Sequence, residues 1–430
     1  MTVLMFGWEF PPHIAGGLGT ACEGIVKGLA HNGVKVLFVM PSASGDEDQS
    51  SARIISASDV PVRNVCGNVD EFLDQVKFIN VDSSIVPYVD PEEYFEAIEE
   101  MKKKKLGETT VGFGQKFKFS GKYGANLLEE VSRYAQVAAT IAMEQAGQFD
   151  VIHAHDWLTY LAGIAAKEVS GKPLVVHVHA TSFDRGTDDM VDSRVYAIEK
   201  RGMEAADRVV TVSDLTRNIV INKYGIDPAK VVTVHNAVDF SGRDDVSVER
   251  GVRDKVVTFL GRITYQKGPE YFIEAAAKVL KRMDNVRFVM AGSGDMMNRA
   301  IRQVARLGIS DRFHFTGFLR GGEVQKMFAL SDVYIMPSVS EPFGISPLEA
   351  MRSNVPAVIS YQSGAAEVLK YALKVDFWDV DAMADDIYAL LKYPALSDFA
   401  TRQGYEEVNA LKWNNATAKL KNIYESLVKE

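Results

Sequence analysis

One pattern constrains this chain more than any other: an apolar run, a polar or glycine-bearing loop, a helical pattern, and another apolar run. Runs of four to six apolar residues bounded by turn residues suit strands buried on both faces. Such strands belong to parallel sheets, whose crossovers are helices. The first series places strands at 3–6 and 36–40, around a loop at 7–19 and a helix at 20–30. It resumes with strands at 151–155, 174–179, 208–212 and 231–234, and a helix at 214–224. A second series places strands at 256–260, 286–290, 313–315, 333–336 and 357–359, each followed by a helical pattern. The expected fold is α/β, with two Rossmann-like βαβ domains.

At 430 residues the chain is too long for one ordinary core. The expected division is an N-terminal domain over 1–240, a polar linker over 241–253 and a C-terminal domain over 254–410. A last helix over 411–430 falls outside the alternation. Within the first domain, 41–149 is irregular. It holds a helical pattern at 92–101, the run Lys102-Lys103-Lys104-Lys105, a Gly, Lys and Phe mixture at 112–124, and a long helix at 125–145. The lysine run reads as a solvated helix end or as a basic-aromatic flap over a cleft. A net charge of -9 opposes nucleic acid as a partner. Two distant cysteines, Cys22 and Cys66, give neither a disulfide framework nor a zinc set. No transmembrane run or signal peptide is evident, so a cytoplasmic protein is expected.

The chemistry gathers at predicted strand ends, where open α/β sheets put ligands. After the strand at 333–336 comes Ser338-Val-Ser-Glu-Pro-Phe-Gly-Ile-Ser-Pro-Leu-Glu-Ala-Met351. Ser346 reads as N-cap, Pro347 as first helical residue and Glu349 as third, so Glu349 is either half of a capping box or a ligand group. Glu341 lies in the loop ahead of that helix. The strand at 256–260 ends in Gly261-Arg262-Ile263-Thr264-Tyr265-Gln266-Lys267-Gly268-Pro269. A guanidinium fork and a flexible ammonium at one helix start suit a diphosphate. Gly292 and the run Gly317-Phe318-Leu319 close two further strands at the same edge. In the first domain, Gly16-Gly17-Leu18 precedes a helix, as glycines do where a backbone meets a phosphate. His153 and His155, then His177 and His179, share strand faces, with the later of each pair nearest the strand end. No carboxylate or cysteine completes an evident metal set around them.

Gly261-Arg262, Lys267 and Glu341-x7-Glu349, with Pro342, Phe343, Gly344 and Ile345 between the glutamates, resemble the donor-site signature of retaining GT-B glycosyltransferases. This GT4/GT5-type family includes sucrose, trehalose and glycogen synthases. Gly16-Gly17-Leu18 resembles its N-terminal glycine loop, and His153-Ala154-His155-Asp156-Trp157 its His-x-His-Asp-Trp. The resemblance implies two domains facing across a cleft, with the last helix crossing back to the first. It also implies a nucleotide-sugar donor, ADP-glucose or UDP-glucose, and a glycan acceptor, with no metal. Arg262 and Lys267 would neutralise the departing diphosphate, helped by the amides at Ser346. Glu349 would hold the ribose, and Glu341 and His179 the sugar. Gly17 and Gly344 would offer backbone to phosphate and sugar, and His155 and Asp156 would lie on the acceptor side. The ADP-glucose synthases of the family typically carry a lysine two residues before the glycine pair, where this chain has Ile14. The opening Phe6-Gly-Trp-Glu-Phe-Pro-Pro12 nevertheless resembles bacterial glycogen-synthase-like proteins, so an α-glucan synthase is the leading expectation. A transferase for another acceptor, a two-carboxylate hydrolase or phosphorylase, and a non-catalytic nucleotide-sugar binder stand beside it.

Overall fold

The computed structural model describes residues 1–13, 17–61, 116–121, 126–186, 191–238, 248–251, 253–319 and 322–429. The expected helix at 92–101, the lysine run 102–105, Gly16 and Ile14 lie outside the described residues, as does most of the mixture at 112–124. The chain forms two compact units. The first is Met1–Phe183, Thr187–Ala237 and Trp413–Glu430; the second is Asp184–Gly186 and Val238–Lys412. Among the described residues no helix is long and apolar enough to cross a membrane.

The first unit carries a seven-stranded sheet in the order β3-β2-β1-β4-β5-β6-β7. Its strands are β1 (Thr2–Phe6), β2 (Lys35–Met40), β3 (Arg53–Ser56), β4 (Val151–His155), β5 (Leu174–Val178), β6 (Arg208–Thr211) and β7 (Val231–Thr233). Every pairing is parallel. Val3, Leu4, Met5 and Phe6 are all wholly buried, because helices cover both faces. Leu4, Phe6, Ile152 and Val176 point into one core layer, while Val3, Met5, Val151 and Val175 point into the other.

The Trp413–Lys429 helix packs in that second layer, against the Gly17–His31 helix, as the resemblance implied for the last helix. Gly24 and Gly28, one turn apart, make the close approach possible. A methyl at Gly24 would sit 2.1 Å from Trp413 Nε1, and one at Gly28 would sit 2.6 Å from Thr417 Oγ1. Asn32 fastens the pair, its amide nitrogen 2.9 Å from both the Asn414 carbonyl and Thr417 Oγ1.

The second unit carries a six-stranded parallel sheet in the order β10-β9-β8-β11-β12-β13. Its strands are β8 (Lys255–Leu260), β9 (Val286–Ala291), β10 (Phe313–Gly317), β11 (Val333–Met336), β12 (Ala357–Ser360) and β13 (Leu373–Val375). In both sheets the strand order reverses direction once, between β1 and β4 and between β8 and β11. A switch point of this kind, at the carboxyl ends of the two neighbours, is where doubly wound sheets bind ligands.

Candidate active site

In the second unit the loops after β8 and β11 meet. Lys267 ends a short helical turn, Tyr265–Lys267, and its ammonium is ion-paired with the Glu341 carboxylate. Both side chains are largely covered, at 19% and 9% exposure, so this is a partly desolvated pair rather than a surface one. Ser338 Oγ lies 3.5 Å from the same carboxylate oxygen. The Glu341 backbone is clamped to the next loop: its N–H donates to the Gln362 carbonyl and its carbonyl accepts from Gly364, both at 2.9 Å. Val339 N–H donates to the Gln266 carbonyl, also at 2.9 Å, which ties the Glu341 loop to the turn that carries Lys267. Arg262 Nη2 lies 3.4 Å from Gln266 Oε1. Two cations and a carboxylate are thus held at one switch point by backbone bonds.

The helix after Glu341 departs from expectation. It runs Ser346–Arg352, with Ile345 at the N-cap and no side-chain cap. Ser346 is the first helical residue, so Glu349 falls one place beyond the third, and the expected capping box does not form. The competing partner is Tyr334, whose hydroxyl lies 2.7 Å from Ser346 Oγ. Burial, chiefly, holds the Tyr334 phenol well above its ordinary range, so it stays protonated.

Gly292 and Gly294 have a packing role. A methyl at Gly292, where φ is +139, would sit 1.8 Å from the Gly261 carbonyl oxygen, and one at Gly294 2.3 Å from that of Ile263. Backbone bonds continue the stack: Gly261 N–H to the Ala291 carbonyl at 3.0 Å, Ile263 N–H to Ser293 at 2.8 Å, and Gly292 N–H to Gly317 at 2.8 Å. These glycines set the level of the Arg262 loop. Gly317 closes β10 and is followed by Phe318, 59% exposed. Pro342, Phe343 and Gly344 line the turn between Glu341 and the helix. Phe343 is buried, and its carbonyl accepts from Ala365 N–H at 2.6 Å.

In the first unit the expected loop at 7–19 is shorter, because the helix begins at Gly17 and takes in Leu18 and Gly19. Glu9 explains the early start. Its carboxylate, 5% exposed, accepts the Gly19 N–H at 3.0 Å and satisfies an amide that a helix N-terminus leaves open.

Four imidazoles lie together on β4 and β5. Ring centroids are 4.3 Å apart for His153 and His155, 5.4 Å for His155 and His177, and 4.4 Å for His177 and His179. His153, His155 and His177 are fully buried, and His179, just past the strand, is partly exposed. Burial is the main cause that holds all four below the ordinary histidine range, with neighbouring imidazoles adding to it for the first three. His153 and His179 are pushed down to about 3. Tyr424, from the last helix, bonds His153 Nδ1 at 2.6 Å.

Nitrogens of His153, His155 and His177 lie within 4.8 Å of one another, which invites comparison with a metal site. The His153 and His177 rings, however, are stacked within 8° of parallel. Imidazole lone pairs lie in the ring plane, so one ion cannot lie on the lone-pair axes of two stacked rings. Asp156 has φ of +58, and its buried carboxylate accepts the backbone N–H of His179 at 2.7 Å and of Ala180 at 3.3 Å. Asp156 therefore sets the backbone course past β5.

The family model for "Glycosyl transferases group 1" matches residues 243–407, and the model for "Glycosyltransferase Family 4" matches residues 107–241. The chain is a GT-B glycosyltransferase of the GT4 type. Among relatives of this glycosyltransferase, an uncharacterized one from Methanocaldococcus jannaschii is 28% identical over 99% of this chain and 98% of its own. The D-inositol 3-phosphate glycosyltransferase of Kribbella flavida is 29% identical over 63% of this chain and 70% of its own. The glycogen synthase of Mycobacterium tuberculosis is 22% identical over 99% and 94%. Solved structures share the GT-B fold. Sucrose-phosphate synthase from Thermosynechococcus elongatus has TM-score 0.70 at 16% identity, covering 99% of this chain and 98% of its own. Anabaena HepE in complex with UDP-glucose has TM-score 0.64 at 16% identity, covering 99% and 100%.

Of the residues singled out in the sequence of this glycosyltransferase, Lys267 and Glu341 are in contact and Arg262 is on the same loop as Lys267. His155 and His179 are in contact as well, 2.9 Å apart. Glu9, Tyr334 and Tyr424 were not singled out. Glu9 alone carried a sequence signal, as a lone acid in an otherwise apolar run before a glycine loop.

Proposed function

We propose that this glycosyltransferase moves glucose from a nucleotide sugar to an α-1,4-glucan, with retention of anomeric configuration. The observation that carries the reading is the covered Lys267–Glu341 pair, with Arg262 beside it, at the β8/β11 switch point. In this reading Arg262 and Lys267 take up the charge that develops on the departing nucleoside diphosphate, where fixed cations in a desolvated site contribute most. The two cations serve where other transferases use a metal ion. Glu341 holds a hydroxyl of the transferred sugar and stabilises positive character at its anomeric carbon. Glu349 takes the ribose hydroxyls, and His179 a second sugar hydroxyl. The UDP-glucose bound to HepE supports the choice of donor, and the full-length alignment with a glycogen synthase supports the choice of acceptor.

The test is thermal melting with ADP, UDP, GDP and their glucose conjugates, followed by incorporation of radiolabelled glucose into glycogen. A ligand that binds only the folded state raises the melting temperature with the logarithm of its concentration over Kd. The expected result is a rise with ADP or UDP and label in polymer. No rise with any nucleotide overturns the donor site. Label only in a small acceptor such as D-inositol 3-phosphate overturns the glucan reading and keeps the donor.

A further inference from the structure

We propose that His155 is a positioning residue that holds His179 in one tautomer, with its proton on Nδ1, so that His179 meets substrate as a hydrogen-bond donor. The inference rests on the reading that His179 faces the transferred sugar, but its main test does not.

His155 is wholly buried at the end of β4, and its Nδ1 lies 2.9 Å from His179 Nε2. One of the two nitrogens carries the hydrogen between them. The other nitrogen of His155, Nε2, is buried and has no hydrogen-bond partner among the described residues. That asymmetry decides the direction. If His179 donated, neutral His155 would carry its own hydrogen on Nε2, as a buried donor with no acceptor. If His155 donates from Nδ1, its Nε2 keeps only a lone pair without a partner. Orphaned buried N–H groups are the rarer and costlier of the two. His155 therefore donates, His179 Nε2 accepts, and the hydrogen of neutral His179 sits on Nδ1.

The rest of the site holds this arrangement. Asp156 fixes the backbone of residue 179, at 2.7 Å from its N–H. The His177 ring stacks on that of His179 at 4.4 Å and 22°, which limits rotation of the imidazole. No hydrogen bond from His179 Nδ1 to another described residue occurs, and the residue is partly exposed. The consequence is chemical. In this tautomer His179 offers an N–H to a substrate oxygen and has no basic nitrogen left to accept a proton.

The test uses the full-length protein with 15N-labelled histidine at pH 7.5, with His179 assigned by comparison with His179→Gln. The expected result is a pyrrole-type shift for His179 Nδ1 and a pyridine-type shift for Nε2. The reverse pattern overturns the proposal, whatever the enzyme's substrate. Two variants then separate positioning from mere packing. His155→Phe fills the space without a donor. It is expected to populate the second tautomer of His179 and to lower kcat about tenfold, the scale of one hydrogen bond, with nucleotide Kd unchanged. His155→Gln restores an N–H at similar reach and is expected to recover both the shift and the rate. If His155→Phe folds, by melting temperature, and keeps the wild-type His179 shifts, the proposal is wrong. If transfer is absent in the wild type while the shifts are as expected, it is the reading of the substrate that fails.

Discussion

The buried imidazoles make stability depend on pH in a way that can be worked out in advance. An ordinary histidine titrates near 6.5, whereas His153 and His179 are pushed down to about 3, and His155 and His177 lie well below their ordinary range. Between those limits the unfolded chain binds protons that the folded chain does not. Stability is therefore fully present above about pH 7.5 and is lost as pH falls through 6.5. At pH 5.5 each such histidine disfavours the fold by about 1.4 kcal/mol, so four together remove on the order of 5 kcal/mol. That is comparable with the whole stability of many domains. Burial raises the phenol of Tyr424, which is bonded to His153, so it stays neutral across this window.

The assay is urea unfolding at pH 7.5 and 5.5, with the midpoint converted through the slope. His177→Leu is the control, because neither nitrogen of His177 has a hydrogen-bond partner among the described residues. Replacing an unsatisfied buried polar group with an apolar one of similar size costs little at pH 7.5. It is expected to reduce the loss between the two pH values by about a quarter. Equal stability at pH 7.5 and 5.5, or an unchanged loss in His177→Leu, refutes the claim that the cluster is held neutral.

Three further outcomes are expected. Glu341→Gln removes the partner that occupies Lys267, so nucleoside diphosphate should bind at least as tightly while transfer is lost; weaker binding measured by calorimetry would place Glu341 on the nucleotide instead. Arg262→Ala combined with Lys267→Ala should lower kcat by on the order of 10²-fold or more, the scale of losing a preorganised charge contact; wild-type kinetics would remove the diphosphate from this loop. Gly292→Ala should destabilise the second unit by roughly 3 kcal/mol or more, because a methyl there meets the Gly261 carbonyl at a backbone angle closed to alanine; an unchanged melting temperature would refute the packing account of that glycine.

The sequence was most legible where chemistry and topology coincide. Apolar runs in a βα rhythm place every strand except the edge strands β3 and β13. A strand buried on both faces has no polar positions to blur it, whereas these two edge strands are only partly covered. Arg262, Lys267 and Glu341 were readable as one site, because their strands, β8 and β11, are neighbours at the switch point. Partnerships across the chain were not readable. Tyr334 takes the Ser346 hydroxyl and so cancels a capping box that local spacing favoured. Glu9 moves a helix start by reaching Gly19 across ten residues. His155 Nδ1 and the Asp156 carboxylate both engage His179, more than twenty residues on, a partner that local spacing does not show. In each case a buried polar atom chose the partner that the fold brought near rather than the one nearest in sequence, because an unpaired polar group in a core costs more than a local cap returns. The histidine motif is thus better understood as a device that aims one imidazole than as four equivalent ligands: β4 and β5 supply the stack, and of the four only the residue past the end of β5 is partly exposed.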